Sequence, residues 1–259
     1  MDPGAILGTD YGEPPYQPHV DEITIEHLLT HTAGGWSNDH NDPMFMYPRK
    51  THTELIEWTL SVRPLDNPPG QNFAYSNFGY CVLGRVIEKV AGRSYEAFVR
   101  DTTLQRCGVA DMVISGNTLA ERRPDEVKYY GLGDFPYRMN VARMDSHGGW
   151  LARPTDLVQF LMHVSGFAKP IDILKPETIR VMTTGSPANA GYAKGWAINK
   201  AGNWWHNGSL PGSSTIAVRT HSGFCWAAFV NTRRPGSSLD DDLDGLVWNM
   251  VGEVKSWRV

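Results

Sequence analysis

The 259-residue chain is 41% hydrophobic and 20% charged, with a formal charge of −4, the make-up of a globular protein long enough for one large domain or two small lobes. No Lys/Arg run or basic stripe occurs, which argues against nucleic acid as a partner; no apolar run approaches a membrane span, and Met1-Asp2-Pro3-Gly4 is not a signal peptide. Cys81, Cys107 and Cys225 are odd in number and widely spaced, which speaks against a disulfide framework or a Cys-type zinc site and fits a reducing, cytoplasmic setting for the chain as it stands.

In chain order, residues 1–22 are rich in Gly, Pro and Tyr without periodicity and read as irregular surface loop. Ile23-Thr24-Ile25-Glu26-His27-Leu28-Leu29-Thr30-His31-Thr32-Ala33-Gly34-Gly35 follows, with Thr24 placed to cap a short helix and Gly34 to end it. His27 and His31 have the i,i+4 spacing of two metal ligands. No Glu follows His27 and no third ligand is evident, so ordering of the next loop by His31 is the reading kept, with no metal and no cofactor expected. Asn38-Asp39-His40-Asn41-Asp42 lacks the Gly and terminal Glu of an EF-hand and reads as a solvated turn. Thr51 and Glu54 form a capping box for a helix carrying Leu55, Trp58 and Leu60, closed by Pro64.

Pro68-Pro69-Gly70 is a rigid turn that no helix interior accepts. Gly79 to Ala91 then predicts a helix with Leu83, Val86, Ile87 and Val90 on one face and Gly92 as its left-handed stop. Tyr75 and Asn77 therefore stand two residues apart at a turn-to-helix junction, where side chains can enter a cleft; a core Tyr and a helix-capping Asn would meet the same local pattern. Ser94 starts a further helix that ends near Gly108, 111–143 is irregular, Pro154 opens a helix over 155–164, and Pro176 opens another. From Gly191 the texture changes to short, aromatic and β-branched runs at 192–198, 203–206, 213–219 and 224–231. Phe224 to Val230 is apolar at every position, as in a strand covered on both faces inside a sheet. The last helix shows one stripe of Leu243, Leu246, Val247, Met250 and Val254, with Asp240, Asp241, Asp242 and Asp244 at its N-terminus.

Three of these stretches together resemble one family. The Thr-x-x-x-Leu-Leu-x-His-Thr-x-Gly run at 24–34, Tyr75-Ser76-Asn77 in its Pro-Gly frame, and Trp205-His206-Asn207-Gly208-Ser209-Leu210-Pro211-Gly212 are similar to motifs of the β-lactamase and penicillin-binding-protein superfamily of serine hydrolases. The likeness is to its class C-like branch, with D-aminopeptidase-like and β-lactamase-like esterase members, and it extends over essentially the whole chain. Ser146-His147-Gly148-Gly149-Trp150 and Asp156-Leu157 match a further element of that family. The resemblance implies an α/β (α+β) fold: a mainly helical lobe over 23–182, an antiparallel sheet lobe over 183–259 with flanking helices, and a cleft between them roofed by 111–143. It implies acyl transfer to water on a small amide, β-lactam or ester. Tyr75 would serve as base and then acid beside Asn77, His206 as a positive or hydrogen-bonding wall, and the Ser209 N–H as an oxyanion donor. Asn207 and Gly208 would border the substrate, Gly208 by letting it approach the strand backbone. Taken alone, His206 is also met by an edge-strand histidine without a role. The His-x-Gly form tilts the reading toward β-lactamase or D-amino-acid peptidase relatives.

The nucleophile motif Ser-x-x-Lys does not occur in the 259 residues: Ser61 is followed by Val62-Arg63-Pro64, Ser165 has Lys169 one place too far on, and Ser256 lies near the last residue. The resemblance implies that this motif, on a helix with N-terminal strands, precedes Met1. A phenol needs a nearby cation to become a base at neutral pH, and the motif's Lys is the family's main one. The expectation is a truncated, impaired hydrolase; Ser76, Ser146 and Ser209 are the substitute nucleophiles to weigh. The alternatives are a non-catalytic homologue that binds a ligand or partner through the cleft, and a metal hydrolase built on His27 and His31. A two-sided apolar strand at 224–230 without its family neighbour would lie at a sheet edge and favour self-association.

Overall fold

The computed structural model of the chain describes residues 3–40, 42–133, 135–234, 236 and 239–254; Asn41 of the polar run expected to be a solvated turn lies outside them. The first helix, α1 (Pro3–Leu7), falls where irregular loop is expected. Leu7 is buried among Leu28, Phe78 and Val82, and that anchorage outweighs the Gly- and Pro-rich composition around it.

Helices α2 (Ile25–Leu29), α3 (Pro43–Met46), α4 (His52–Val62) and α5 (Asn77–Ala91) form the first layer. Thr24 caps α2 through a reciprocal pair with His27, and Thr51 caps α4 through one with Glu54. Ser76, not Asn77, caps α5: its Oγ accepts from the Gly79 N–H at 3.1 Å. Gly92 ends α5 at φ 65°. The core of this layer is Leu28, Leu55, Ile56, Phe78, Cys81 and Leu83, while Val90, expected on the buried face, is exposed one turn past the last packed residue.

Helix α6 (Tyr95–Val99) runs through a widened turn to Gly108 at φ 71°. The irregular stretch after it contributes β1 (Val113–Ile114) and β2 (Tyr130–Gly131), which pair with β3 (Trp150–Leu151) and β8 (Thr232–Arg233). Helices α7 (Pro154–Met162) and α8 (Pro176–Met182) each begin at the expected proline.

The main sheet has the order β4 (Ala197–Ile198), β5 (Trp204–Leu210), β6 (Ser213–Arg219), β7 (Cys225–Val230), antiparallel throughout. Its pleat sorts side chains between two helical coverings. Trp204, Ala217, Cys225 and Ala227 pack with Leu161 and Ile179 on the α7–α8 side, and Trp205, Ile216, Val218 and Trp226 meet Leu243, Val247 and Val251 of α9 (Leu239–Glu253). Strand β7 is thus apolar on both faces, as its sequence predicts, yet it is the outermost strand: helices, not neighbouring strands, account for its composition. The stripe expected on α9 divides. Leu243 and Val247 pack on the sheet, while Leu246, Met250 and Val254 are exposed, because Val251 takes the inner position in the last turns. No helix among the described residues is long and apolar enough to cross a membrane.

Candidate active site

Two distant stretches are laced together to make the junction that carries Tyr75. The Gly34 carbonyl accepts from Asp66 N and Asn67 N (both 2.9 Å), Thr32 O from Gly70 N (2.7 Å), and His31 O from Ala74 N (2.8 Å). Ser76 Oγ donates to Trp36 O (2.7 Å), and Asn38 N donates to Tyr75 O (2.8 Å). Gly34 is required here. Its φ is +96°, and a Cβ would lie 2.1 Å from the Asn67 carbonyl oxygen.

His31 fills the centre. It adopts φ 55° and is almost fully buried, with its ring against those of Tyr75 (4.1 Å between centroids), Tyr80 (4.9 Å) and Tyr192 (4.9 Å). Its Nδ1 accepts from the Ser76 N–H at 3.1 Å, so it orders the junction as the sequence suggests. His27 is spent differently, its Nδ1 accepting from the Thr24 N–H, and the two rings serve separate partners. Burial pushes the His31 pKa down to about 3, so the ring is neutral.

From the sheet side, the period-two alternation of β5 puts His206 on the face of Trp204, toward α7. Its Nε2 lies 3.4 Å from the Tyr75 hydroxyl, across 131 residues of sequence, and 3.2 Å from the Tyr192 hydroxyl. Its Nδ1 is 2.7 Å from the Asn207 carbonyl oxygen. Burial lowers the His206 pKa, so of the two roles expected for it the hydrogen-bonding one fits its surroundings and the positive wall does not. Asn207 and Ser209 are exposed farther along β5, and Gly208 sits opposite Thr215.

Asn77 is buried rather than free in the cleft. Its N–H lies 3.2 Å from Asn38 Oδ1 and 3.3 Å from Asp42 Oδ2, and its side chain also hydrogen-bonds the Asp42 carboxylate. Asp42, expected in a solvated turn, is itself buried; its Oδ1 caps α3 by accepting from Met44 N at 2.8 Å. Burial raises its pKa to about 6 against the pull of those N–H groups. Burial, and then the Asp42 charge, push the Tyr75 phenol up to about 12. The loop around Asp42 is held by Arg143, whose guanidinium donates to the carbonyls of Met44 (2.7 Å), Tyr47 (2.7 Å) and Lys50 (2.5 Å).

The substitute nucleophiles fare unequally. Ser76 Oγ is engaged on both sides as the α5 cap. Ser146 Oγ is buried without a hydrogen-bond partner among the described residues, so no base touches it. Ser209 is solvent-exposed. Past Ser209, a cavity of about 90 Å³ lies between Arg122, Tyr129 and Tyr137, in the stretch expected to roof the cleft, and Leu210 and Pro211.

Tyr192, Asp42 and Arg143 escape sequence reasoning. A tyrosine between glycines in Gly191-Tyr192-Ala193-Lys194-Gly195 is a signal of an aromatic on a tight turn, and the run of short apolar residues around it reads as strand instead; nothing local marks Asp42 or Arg143.

The sequence model of the family described as Beta-lactamase matches residues 9–246. The chain belongs to the beta-lactamase family. Among relatives, this beta-lactamase family chain is 33% identical over 155 residues to the putative fimbrial assembly protein FimD, serogroup D, of Dichelobacter nodosus, covering 57% of the chain and 38% of that protein. It is 22% identical over 212 residues to a putative D-alanyl-D-alanine carboxypeptidase of Escherichia coli K12, covering 66% and 46%. The chain therefore spans less than half the length of either relative. Its fold is that of the D-amino acid amidase from Ochrobactrum anthropi SV3 crystallised with L-phenylalanine: TM-score 0.74 at 20% identity, covering 91% of this chain and 73% of that one.

Proposed function

We propose that the chain carries the proton-transfer side of a serine acyl-transfer hydrolase acting on small amides, β-lactams or esters. The observation that supports this is the approach of Tyr75 and His206 to 3.4 Å from opposite parts of the chain, with Gly208 and Ser209 following on the same strand. In this reading Tyr75 takes the nucleophile's proton and returns it to the leaving group, His206 accepts a hydrogen bond beside it, and the Ser209 N–H faces the developing oxyanion. Asn77 acts from behind by tying the junction to Asp42, and Asn207 and Gly208 border the substrate.

A phenol held near 12 is a poor base at neutral pH. Lowering it calls for a cation beside it, which a Ser-x-x-Lys segment supplies in this family. The chain alone is thus expected to hydrolyse nitrocefin and p-nitrophenyl butyrate slowly or not at all. Joined to a family-type segment bearing Ser-x-x-Lys it should turn over, and Tyr75→Phe should then reduce the rate by two or more orders of magnitude, on the order of a general acid–base contribution of about 10² to 10⁴. Strong turnover by the unjoined chain that survives Tyr75→Phe would defeat this reading.

A second reading is a homologue that binds a ligand or partner through the cleft without turnover. It is favoured by the same raised Tyr75 and neutral His206, and the FimD relative is named for assembly rather than hydrolysis. Absence of turnover in the joined chain, with the cleft folded, would select it. Self-association through the open edge of β7 belongs to either reading.

A further inference from the structure

His206 offers one lone pair to two hydroxyl groups, and the hydrogen bonds around it decide which takes it. At one end of the cluster, the Ser76 N–H occupies His31 Nδ1. A neutral imidazole then carries its proton on Nε2, which lies 3.2 Å from the Tyr192 oxygen. At the other end, His206 Nδ1 faces a carbonyl, which only accepts. That nitrogen therefore bears the His206 proton, and Nε2 is bare. Tyr192 stands between: its oxygen receives the His31 proton, and its own proton has His206 Nε2 to go to at 3.2 Å. The Tyr75 hydroxyl reaches the same nitrogen at 3.4 Å.

We infer that Tyr192 is a positioning residue which occupies the His206 lone pair and so leaves the Tyr75 hydroxyl proton free to face the cleft. The turn that presents it is fixed on all sides. Ile198 N donates to Gly191 O (2.9 Å), Ala193 N to Trp196 O (2.8 Å) and Lys194 N to Met182 O (3.1 Å), while Lys194 Nζ reaches Glu26 at 2.8 Å. The titratable side chains facing Tyr192 and His206 are His31 from the loop after α2, Tyr75 from the junction before α5 and Tyr80 from its first turn, with Asp42 behind Tyr75. A phenol bonded to His206 would be held away from a reacting group; one displaced from it can exchange its proton in both directions. The inference rests on Tyr75 being the proton carrier.

The test uses the whole chain labelled with 15N-histidine and long-range 1H–15N spectra of the His206 ring. Tyr75→Phe should leave the Nε2 resonance where it is. Adding Tyr192→Phe to that variant should move it and raise the His206 titration midpoint by about 0.5 to 1 pH unit, because a neutral hydrogen bond to the bare nitrogen is lost. A resonance that moves with Tyr75→Phe and not with the added change overturns the inference and leaves the Tyr75–His206 pairing intact. No movement in either variant means that His206 Nε2 accepts from neither hydroxyl, which overturns the inference and also the hydrogen-bond-accepting role of His206 in the proposed function. Should the added change unfold the chain, movement with Tyr75→Phe still overturns the inference, and where that variant leaves the resonance unmoved the hydroxyl proton decides. A slowly exchanging Tyr192 hydroxyl proton with a cross-peak to the His206 ring upholds the assignment, and its absence refutes it.

Discussion

Replacing Asp42 by Asn tests the electrostatics that surround Tyr75. The carboxyl is buried and its folded pKa is about 6, against about 3.9 for an unfolded Asp. A raised folded pKa means that the native state holds the proton more tightly. Its stabilising contribution is fully present below the unfolded value and is lost as pH climbs through the folded one. Two units of separation amount to about 3 kcal/mol, most of it lost between about pH 4 and pH 8. Asp42→Asn removes this dependence. Its amide still accepts from Met44 N through one oxygen, but its NH₂ confronts the Asn77 N–H, a constant offset of about 1 to 3 kcal/mol. Urea unfolding of both proteins across the pH range separates the terms, since the offset shifts the whole curve and the titration changes its slope. The difference between wild type and variant should move by about 2 to 3 kcal/mol in favour of Asp42→Asn from about pH 4 to pH 8. Parallel curves would refute the assignment of a buried, protonatable Asp42. The same variant should lower the Tyr75 titration midpoint, read by tyrosinate absorbance or 13C-tyrosine NMR, without returning it to the ordinary value, because burial is the larger cause.

Gly34→Ala should cost about 3 to 5 kcal/mol: about 1 to 2 for a left-handed L-residue and about 1 for each hydrogen bond broken as the Asn67 carbonyl moves away. A loss under about 1 kcal/mol in denaturant melts would mean the two stretches are not laced as described. Arg143→Lys keeps the charge but cannot reach three carbonyls from one planar fork, and should destabilise by about 3 kcal/mol with a preserved net charge; an unchanged midpoint would contradict the bracing role. Among the described residues no strand pairs the outer side of β7; that edge should make the chain associate with rising concentration in light scattering, and a monomer at every concentration would count against it as an interface.

The parts of this fold that the sequence declares are those decided within a few residues. Thr51 with Glu54, Gly92, Pro154 and Pro176 mark helix ends by local hydrogen bonding and fixed φ, and all four lie where those rules put them. Strand β6 is likewise marked by its β-branched residues and the glycines that flank it. Tyr75 and His206 were legible only through motif likeness, because nothing local to either says that they meet. Tyr192 and Asp42 depend on partners far off in the chain: Tyr192 is 161 residues from His31, and Asp42 reads as a polar loop residue until α5 closes over it. The short helix α1 was hidden for the converse reason, since Gly- and Pro-rich composition describes its neighbours and tertiary burial of Leu7 decides its state.

The bracing by Arg143 has a consequence for building chimeras. Asn140 donates to the Pro48 carbonyl at 2.8 Å, and Arg143 holds Met44, Tyr47 and Lys50. The end of the 111–143 stretch is therefore mechanically part of the Asp42 loop, although the sequence places it ninety residues later. A graft that takes a relative's equivalent of 111–143 would transplant one half of a clamp without the other. Exchange cut before Asn140 keeps the clamp whole, so the natural unit of recombination here ends short of the boundary that sequence texture suggests.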